Sequence, residues 1–197
     1  MVHVNEVKTA LQSRYQITDL GPAKQYLGIT IDQSPAKTTL SQSHFVLTLL
    51  ERFGLQDCNG HLTPLEPGSR TKTESPPLPP HEIKTYQAIV GGIMYLMLAT
   101  RPDLAYSISI LSKHAANPHE HHLGMAKRAL RYLKKTSKIC LIYTKASASP
   151  IAQQALRWPT TTGFTDSDWA GDPTDRHSTA AFVFLLGGTA ISWKLKK

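Results

Sequence analysis

Apolar residues recur at helical spacing near the N-terminus and at strand spacing directly after it. Residues 3–16 carry an apolar side chain at every third or fourth position, which is typical of an amphipathic helix. These positions are Val4, Val7, Leu11 and Tyr15. After the helix-breaking pair Gly21-Pro22, the apolar period becomes two, and a short return strand ends at Gln42. We therefore predict a helix followed by a β-hairpin over residues 26–42.

A second helical pattern occupies residues 41–55. Ser41 or Ser43 can cap its N-terminus, and Gly54 stands where a helix commonly ends. Its apolar stripe consists of Phe45, Leu49, Leu50 and Phe53. Beyond it, residues 63–80 hold six prolines in eighteen positions and almost no apolar periodicity. This composition predicts a linker or an extended segment on the surface, and it is the clearest boundary in the sequence.

Helical patterns return over residues 82–114 and again up to Thr136. Arg101-Pro102-Asp103 divides the first region, because proline suits the first position of a helix better than its interior. Gly91-Gly92 predicts a close approach of another element. In the next helix, Asn117 is the expected N-cap and Pro118 the expected first residue. Leu123, Ala126, Leu130 and Leu133 form its predicted core face.

Strand patterns dominate the C-terminal part. "ICLIYT", ending at Thr144, is one predicted strand, and "GFTDSDW" from Gly163 is another. The last two strands lie in "STAAFVFLLGGTAISWKLKK", where Gly187-Gly188 is the expected hairpin turn.

The chain is basic, with 22 Lys and Arg residues, 14 Asp and Glu residues and a net charge of +8, which points to a polyanionic partner. Five cations form a stripe beside the core face of the helix that ends at Thr136, with no glutamate between them. They are Lys127, Arg128, Arg131, Lys134 and Lys135. The stripe is either a solvated helix face or a row that neutralises successive phosphates of a nucleic acid.

Two clusters could carry metal chemistry. "GFTDSDWAGDPTD" gathers four aspartates, but its spacing excludes an EF-hand and favours a polar turn, since His177 stands where the last ligand would be. The four aspartates are Asp166, Asp168, Asp172 and Asp175. Histidines cluster at "HEHH", residues 119–122, where the spacing does not match the zinc motif H-E-x-x-H. Residue spacing alone thus favours no metal site.

The order of several motifs resembles the C-terminal part of the Pol polyprotein of copia-type retrotransposons over nearly the whole chain. The motifs are "ITDLGPAKQYLGITI", "LSQSHFVLTLLERFGLQDC", "TPL", "YQAIVGGIMYLMLATRPDLAYSISILSKHAANPHEHHLGMAKRALRYLKKT", "LIYT" and "GFTDSDWAGDPTDRHSTAAFVFLLGGTAISWKLKK". The resemblance implies a reverse transcriptase that passes into a ribonuclease H domain. It implies that Tyr26, Leu27 and Gly28 form a primer grip, and that Asp166 is a catalytic residue binding Mg²⁺ or Mn²⁺. Asp168 belongs to the same motif.

The fold class expected from this resemblance is α+β: an N-terminal hairpin plus helices, followed by a partial ribonuclease H-like β-sheet. We expect the end of the palm, the primer-grip hairpin and a thumb helix in residues 1–62. A Pro-rich linker is expected in residues 63–81, a helical thumb or connection region in 82–137, and a truncated ribonuclease H-like sheet in 138–197.

The expected function is that of a reverse transcriptase/ribonuclease H fragment without complete active sites, inactive alone and binding a template–primer duplex. Residues 1–25 lack the aromatic-x-Asp-Asp polymerase motif, and no acidic residue follows Asp175. The metal should therefore not be bound tightly. Expected partners are an RNA–DNA or DNA duplex and the remainder of the Pol polyprotein. The alternatives are a non-enzymatic nucleic-acid-binding module and a transposon relic without function.

Isolated Cys58 and Cys140, and the lack of a signal peptide or a long apolar run, favour an intracellular protein, cytoplasmic or nuclear, without a membrane span.

Overall fold

The computed structural model describes residues 2–68, 75–144, 161–169 and 176–196, and within them the chain is α+β. Helices and strands alternate in blocks, as the sequence pattern predicts. In chain order they are α1 (Val2–Gln12), β1 (Gln25–Tyr26), β2 (Ile29–Gln33), β3 (Lys37–Ser41), α2 (Ser43–Arg52), α3 (Pro80–Ala99), a 3₁₀ turn (Pro102–Leu104), α4 (Ala105–Lys113), α5 (Glu120–Lys135), β4 (Leu141–Thr144), β5 (Thr161–Ser167), β6 (Ala180–Leu186) and β7 (Thr189–Lys196).

The predicted N-terminal hairpin is confirmed and is part of a four-stranded antiparallel sheet with the order β1-β2-β3-β4. The predicted hairpin corresponds to β2 and β3, but its first strand starts later than the apolar alternation predicts, because Tyr26 pairs with Ile29 across a two-residue turn. The two turn residues, Leu27 and Gly28, have φ angles of 46° and 72°. Positive φ at both positions defines a type I′ turn, whose twist matches that of the strands it joins.

Strand β4, predicted at the start of the C-terminal region, completes this first sheet by pairing with β3, from Leu40 opposite Leu141 to Lys37 opposite Thr144. The second sheet, β5-β6-β7, is also antiparallel. Its β6–β7 turn is the predicted Gly187-Gly188 pair, with φ angles of 56° and 85°. The hydroxyl of Tyr143 in β4 donates to the carbonyl oxygen of Ala190 in β7 at 2.8 Å, so the two sheets are in contact.

The hydrophobic core lies among α2, α3, α4 and α5. The apolar face predicted for α5 is confirmed, since Leu123, Ala126, Leu130 and Leu133 are all buried. The close approach predicted at the paired glycines is confirmed at Gly92, where a Cβ would lie 2.6 Å from Cδ1 of Leu49 in α2. A larger residue there would have to displace the Leu49 side chain.

The structure corrects two predicted helix caps. The N-cap of α2 is Gln42 and neither serine, although the Ser41 hydroxyl accepts the Ser43 N–H at 3.2 Å. Ser43 Oγ donates to the carbonyl of Ser137 at 2.7 Å. Helix α5 begins at Glu120, so Asn117 is not its N-cap and Pro118 is not its first residue.

The N-cap of α5 is His119, whose backbone N–H donates to Nδ1 of His122 at 2.9 Å. Residues ahead of α5 are held extended because the Leu78 N–H donates to the Pro118 carbonyl at 3.0 Å. In contrast, the C-terminus predicted for α2 is confirmed. The N–H groups of Gly54 and Leu55 donate to the carbonyls of Glu51 and Leu50, which is a Schellman motif.

The described ends of the proline-rich segment lie on the helical core. Leu65 and Leu78 are both buried, and residues 69–74 are outside the described ranges. Helix α1 ends at Gln12, earlier than predicted, and its apolar residues Val4 and Val7 remain 57% and 58% exposed. No helix in the described ranges is long and apolar enough to cross a membrane.

Candidate functional site

The cationic stripe predicted on α5 lies on its solvent side. Lys127 and Lys135 are exposed, and Arg128, Arg131 and Lys134 are partly buried. The reason for this burial is the loop after α2, which runs along α5. A Cβ on Gly60 would lie 2.8 Å from Cβ of Lys135, so only glycine lets the loop approach so closely.

Three cations of the stripe bind this loop directly. Arg128 donates to Oε1 of Glu66 at 2.9 Å and to Oγ1 of Thr63 at 3.0 Å. Arg131 Nε donates to the Asn59 carbonyl at 2.8 Å, and Lys134 Nζ donates to the Gln56 carbonyl. Carbonyl oxygens orient a cation without cancelling its charge. The stripe therefore fixes the loop and remains strongly positive.

A hollow of about 590 Å³ lies beside these contacts, between part of the stripe and the loop. His61, Glu66, Lys127, Arg128 and Arg131 line it. Desolvation and the positive charges of Arg128 and Arg131 lower the pKa of His61 below its usual value.

The hairpin tip predicted to grip a primer is exposed at the surface. Tyr26 and Leu27 are 64% and 71% exposed. The hydroxyl of Tyr95 in α3 donates to the Leu27 carbonyl, and a Cβ on Gly28 would lie 2.7 Å from that hydroxyl oxygen. The Tyr95 ring packs edge-on against Phe45 of α2, with 4.8 Å between ring centroids. Two helices thus hold the tip in place.

Asp166 lies in β5 opposite Ala181, and it shares a hollow of about 690 Å³ with Lys194 and Lys196 of β7. Asp168, after the end of β5, is bound through its carboxylate by the Thr179 N–H. The described residues hold no group of three His, Cys, Asp or Glu side chains placed to bind a metal ion. Asp172 and Asp175 are outside the described ranges.

Asp103 and Asp166 both line a cleft of about 470 Å³. The carboxylate of Asp103 already accepts hydrogen bonds from two other side chains. Arg101 donates to its two oxygens at 2.9 and 2.8 Å, and the Tyr132 hydroxyl donates at 2.8 Å. Burial would raise the pKa of Asp103, yet the hydrogen bonds and charge of Arg101 outweigh burial and lower it. A second oxygen ligand for a metal at Asp166 is thus not available from Asp103.

Arg101 is a structural residue that the sequence pattern did not reveal. Its guanidinium is buried and also donates to the carbonyl and hydroxyl oxygens of Thr136 at 3.1 and 2.8 Å. The two-residue spacing of Arg101 and Asp103 was the available signal, since a turn at the intervening proline brings their side chains together.

The histidine cluster ahead of α5 forms a packed group. The rings of His114 and His122 stack at 3.7 Å between centroids, and His121 lies equally close to His122. Burial is the main cause that lowers the pKa of His122 to about 3. Electrostatic repulsion from His114, His121 and His119 lowers it further. Ser75 bonds to two of these rings, through its hydroxyl to His121 and its carbonyl to His119, both at 2.6 Å. The cluster joins the proline-rich segment to α5.

Comparison with known proteins places the chain in a family. The family model for reverse transcriptase (RNA-dependent DNA polymerase) matches residues 1–67. The chain is 32% identical over 200 residues to the retrovirus-related Pol polyprotein from transposon TNT 1-94 of Nicotiana tabacum, covering 98% of the chain and 14% of the polyprotein. No solved structure matches it at a significant level.

Two relatives from Arabidopsis thaliana support the same assignment. An uncharacterized mitochondrial protein is 34% identical over 189 residues, covering 95% of this chain and 72% of the relative. The retrovirus-related Pol polyprotein from transposon RE1 is 32% identical over 193 residues, which is 95% of this chain but 12% of that polyprotein. The chain therefore belongs to the Pol polyprotein family of copia-type retrotransposons and is a reverse transcriptase-like segment of such a polyprotein.

Proposed function

We propose that this segment binds the phosphate backbone of a template–primer duplex, either an RNA–DNA hybrid or a DNA duplex, through the stripe on α5. The observation that carries the proposal is the positive charge of this helix face. Five cations lie on it, and of these five only Arg128 pairs with a carboxylate of the described residues, that of Glu66. Such a surface gains affinity for polyanions by releasing counterions from the duplex.

The five cations have different roles in this proposal. Lys127 and Lys135 contact phosphates, because their side chains are exposed. Arg128, Arg131 and Lys134 hold the loop after α2 against the helix and contribute to the positive field. The exposed hairpin tip, with Tyr26, Leu27 and Gly28, positions the end of the primer strand, and Tyr95 keeps that tip in one place.

We also propose that the chain alone neither cleaves an RNA–DNA hybrid nor binds Mg²⁺ or Mn²⁺ tightly. Hydrolysis by divalent ions requires several converging oxygen ligands. Near Asp166 the described residues supply two lysines and an Asp103 carboxylate already bound by Arg101. These residues do not fit a metal centre of that kind.

The test of duplex binding is the double variant Lys127→Glu/Lys135→Glu, measured by fluorescence anisotropy with a short labelled RNA–DNA hybrid. We expect affinity to fall by about 10²-fold at 0.1 M salt, because two phosphate contacts become repulsive. The thermal midpoint should stay within about 2 °C, since exposed substitutions change stability little.

A matched control is Lys37→Glu, which changes an exposed lysine at the start of β3, away from α5. This variant should bind like the unmodified protein. Salt-independent binding by the unmodified chain, or equal affinity of the double variant and the control, would contradict the proposal.

A further inference from the structure

Cations from three different helices converge beside the α5 stripe. Arg52 is the last residue of α2, Lys84 lies in the second turn of α3, and Lys127 belongs to α5. Together they border a hollow of about 520 Å³ whose floor includes Phe53 and Ile89. None of the described residues that line this hollow is acidic.

This hollow neighbours the one between α5 and its loop, because Lys127 borders both. The described residues around the two hollows include five Lys and Arg side chains and a single carboxylate, that of Glu66. The five are Arg52, Lys84, Lys127, Arg128 and Arg131. The positive surface is thus broader than one helix face and extends onto α2 and α3.

Helix stability does not account for the cation on α3. Lys84 is the fifth residue of that helix, near its N-terminus, where the helix dipole offers a positive charge no stabilisation. Its side chain is exposed, so it covers little apolar surface. Arg52 does suit the C-terminus of α2, and its guanidinium is also oriented by the Phe53 ring, 5.5 Å from the ring centroid.

We propose that the surface formed by Arg52, Lys84 and Lys127 binds backbone phosphates of the duplex, in a second row beside the α5 stripe. This inference rests on the proposed function and extends it to two helices that the sequence pattern did not connect with binding. Contacts of this kind are made to phosphates and not to bases, so they hold the duplex without regard to its sequence.

Two single variants, Lys84→Glu and Arg52→Glu, test the inference in the same anisotropy assay. We expect each to weaken binding about ten-fold at 0.1 M salt and to reduce the slope of log affinity against log salt by about one. The losses should be equal for hybrids of different sequence. Lys37→Glu introduces the same charge change elsewhere and should leave both quantities unchanged.

The outcomes separate this inference from the proposed function. If Lys127→Glu/Lys135→Glu loses binding while Lys84→Glu and Arg52→Glu behave like Lys37→Glu, the second row is refuted and the α5 stripe stands. If the unmodified chain shows no salt-dependent binding, both are refuted. If the two variants lose binding to heparin but retain the hybrid, the surface serves another polyanion and the inference is wrong.

Discussion

At the residue scale, Arg101 shows what a buried charge requires. Its side chain is 1% exposed, and its hydrogen-bonding partners come from the following turn and from the end of α5. Removing water from a guanidinium is costly unless carboxylate and carbonyl oxygens replace it. Arg101 therefore depends on Asp103, whereas Asp103 is partly exposed and can be solvated by water.

This asymmetry predicts different effects for the two partners. Asp103→Asn leaves the guanidinium buried without its counter-charge, and we expect a loss of about 3 kcal/mol in the free energy of unfolding at pH 7. Arg101→Met removes the buried charge itself and should cost less. Urea unfolding measures both, with Asp32→Asn in exposed β2 as the control. A smaller loss for Asp103→Asn than for Arg101→Met would contradict the argument.

The pH dependence of the same pair has a definite sign. The pKa of Asp103 is lower in the folded chain than in the unfolded chain. The stabilisation by this carboxylate is therefore fully present above its unfolded pKa and is lost as pH falls through the folded one. Asp103→Asn should remove that acidic component.

At the scale of elements, the residue pattern predicts most features that depend only on residues close together in the sequence. The turn at Gly187-Gly188, the core face of α5 and the end of α2 at Gly54 are all local in this sense. The turn at Leu27-Gly28 is local too, but it was missed, because the apolar alternation across it predicts a continuous strand. The cap of α5 was not predictable, because Ser75 and the chain around Leu78 determine where that helix begins. The hydrogen bonds from Arg131 and Lys134 to the loop after α2 were not predictable either, because their partners are distant in the sequence.

The histidine cluster at the start of α5 predicts that the stability of the fold depends on pH. His122 has a folded pKa of about 3, well below the value near 6.5 expected when unfolded. The unfolded chain thus binds more protons between these values, so stability is complete above pH 6.5 and falls as pH decreases towards 3. Each such histidine contributes a slope of up to about 1.4 kcal/mol per pH unit.

The variant His122→Asn tests this, since its amide oxygen can still accept the N-cap hydrogen bond. We expect a flatter stability profile between pH 6.5 and 4 in urea titrations. His3→Asn, at a histidine side chain 97% exposed, is the matched control and should keep the original slope. An unchanged slope in His122→Asn would show that this ring does not govern the acid sensitivity.

At the scale of the whole molecule, the residues proposed to bind the duplex and Asp166 lie on different elements. The surface proposed to bind the duplex is built from α2, α3, α5 and the loop between α2 and α3, all of which share one core. Asp166 lies on the second sheet, where it shares one hollow with Lys194 and Lys196 and another with Asp103. Family resemblance could assign a role to Asp166, but only the arrangement in space shows which charged groups surround it.

We therefore expect no cleavage of a labelled RNA–DNA hybrid when the chain is incubated with Mg²⁺ or Mn²⁺, even at protein concentrations that saturate binding. Asp166→Ala distinguishes real turnover from a contaminating nuclease. Cleavage by the unmodified chain that disappears in this variant would overturn the expectation. Hybrid affinity should be the same in both proteins, within about two-fold, because no cation of the binding surface is altered.

The pairing of β3 with β4 has a consequence for the synthesis of this protein. Leu40 in β3 pairs with Leu141 in β4, which is synthesised about a hundred residues later. Until then β3 is paired with β2 on one side only. At typical translation rates that interval lasts roughly 5 to 20 seconds, during which β3 presents an open edge to other chains. Any truncation before β4 makes that exposure permanent, so shortened copies should aggregate more than the longer chain, which light scattering would measure.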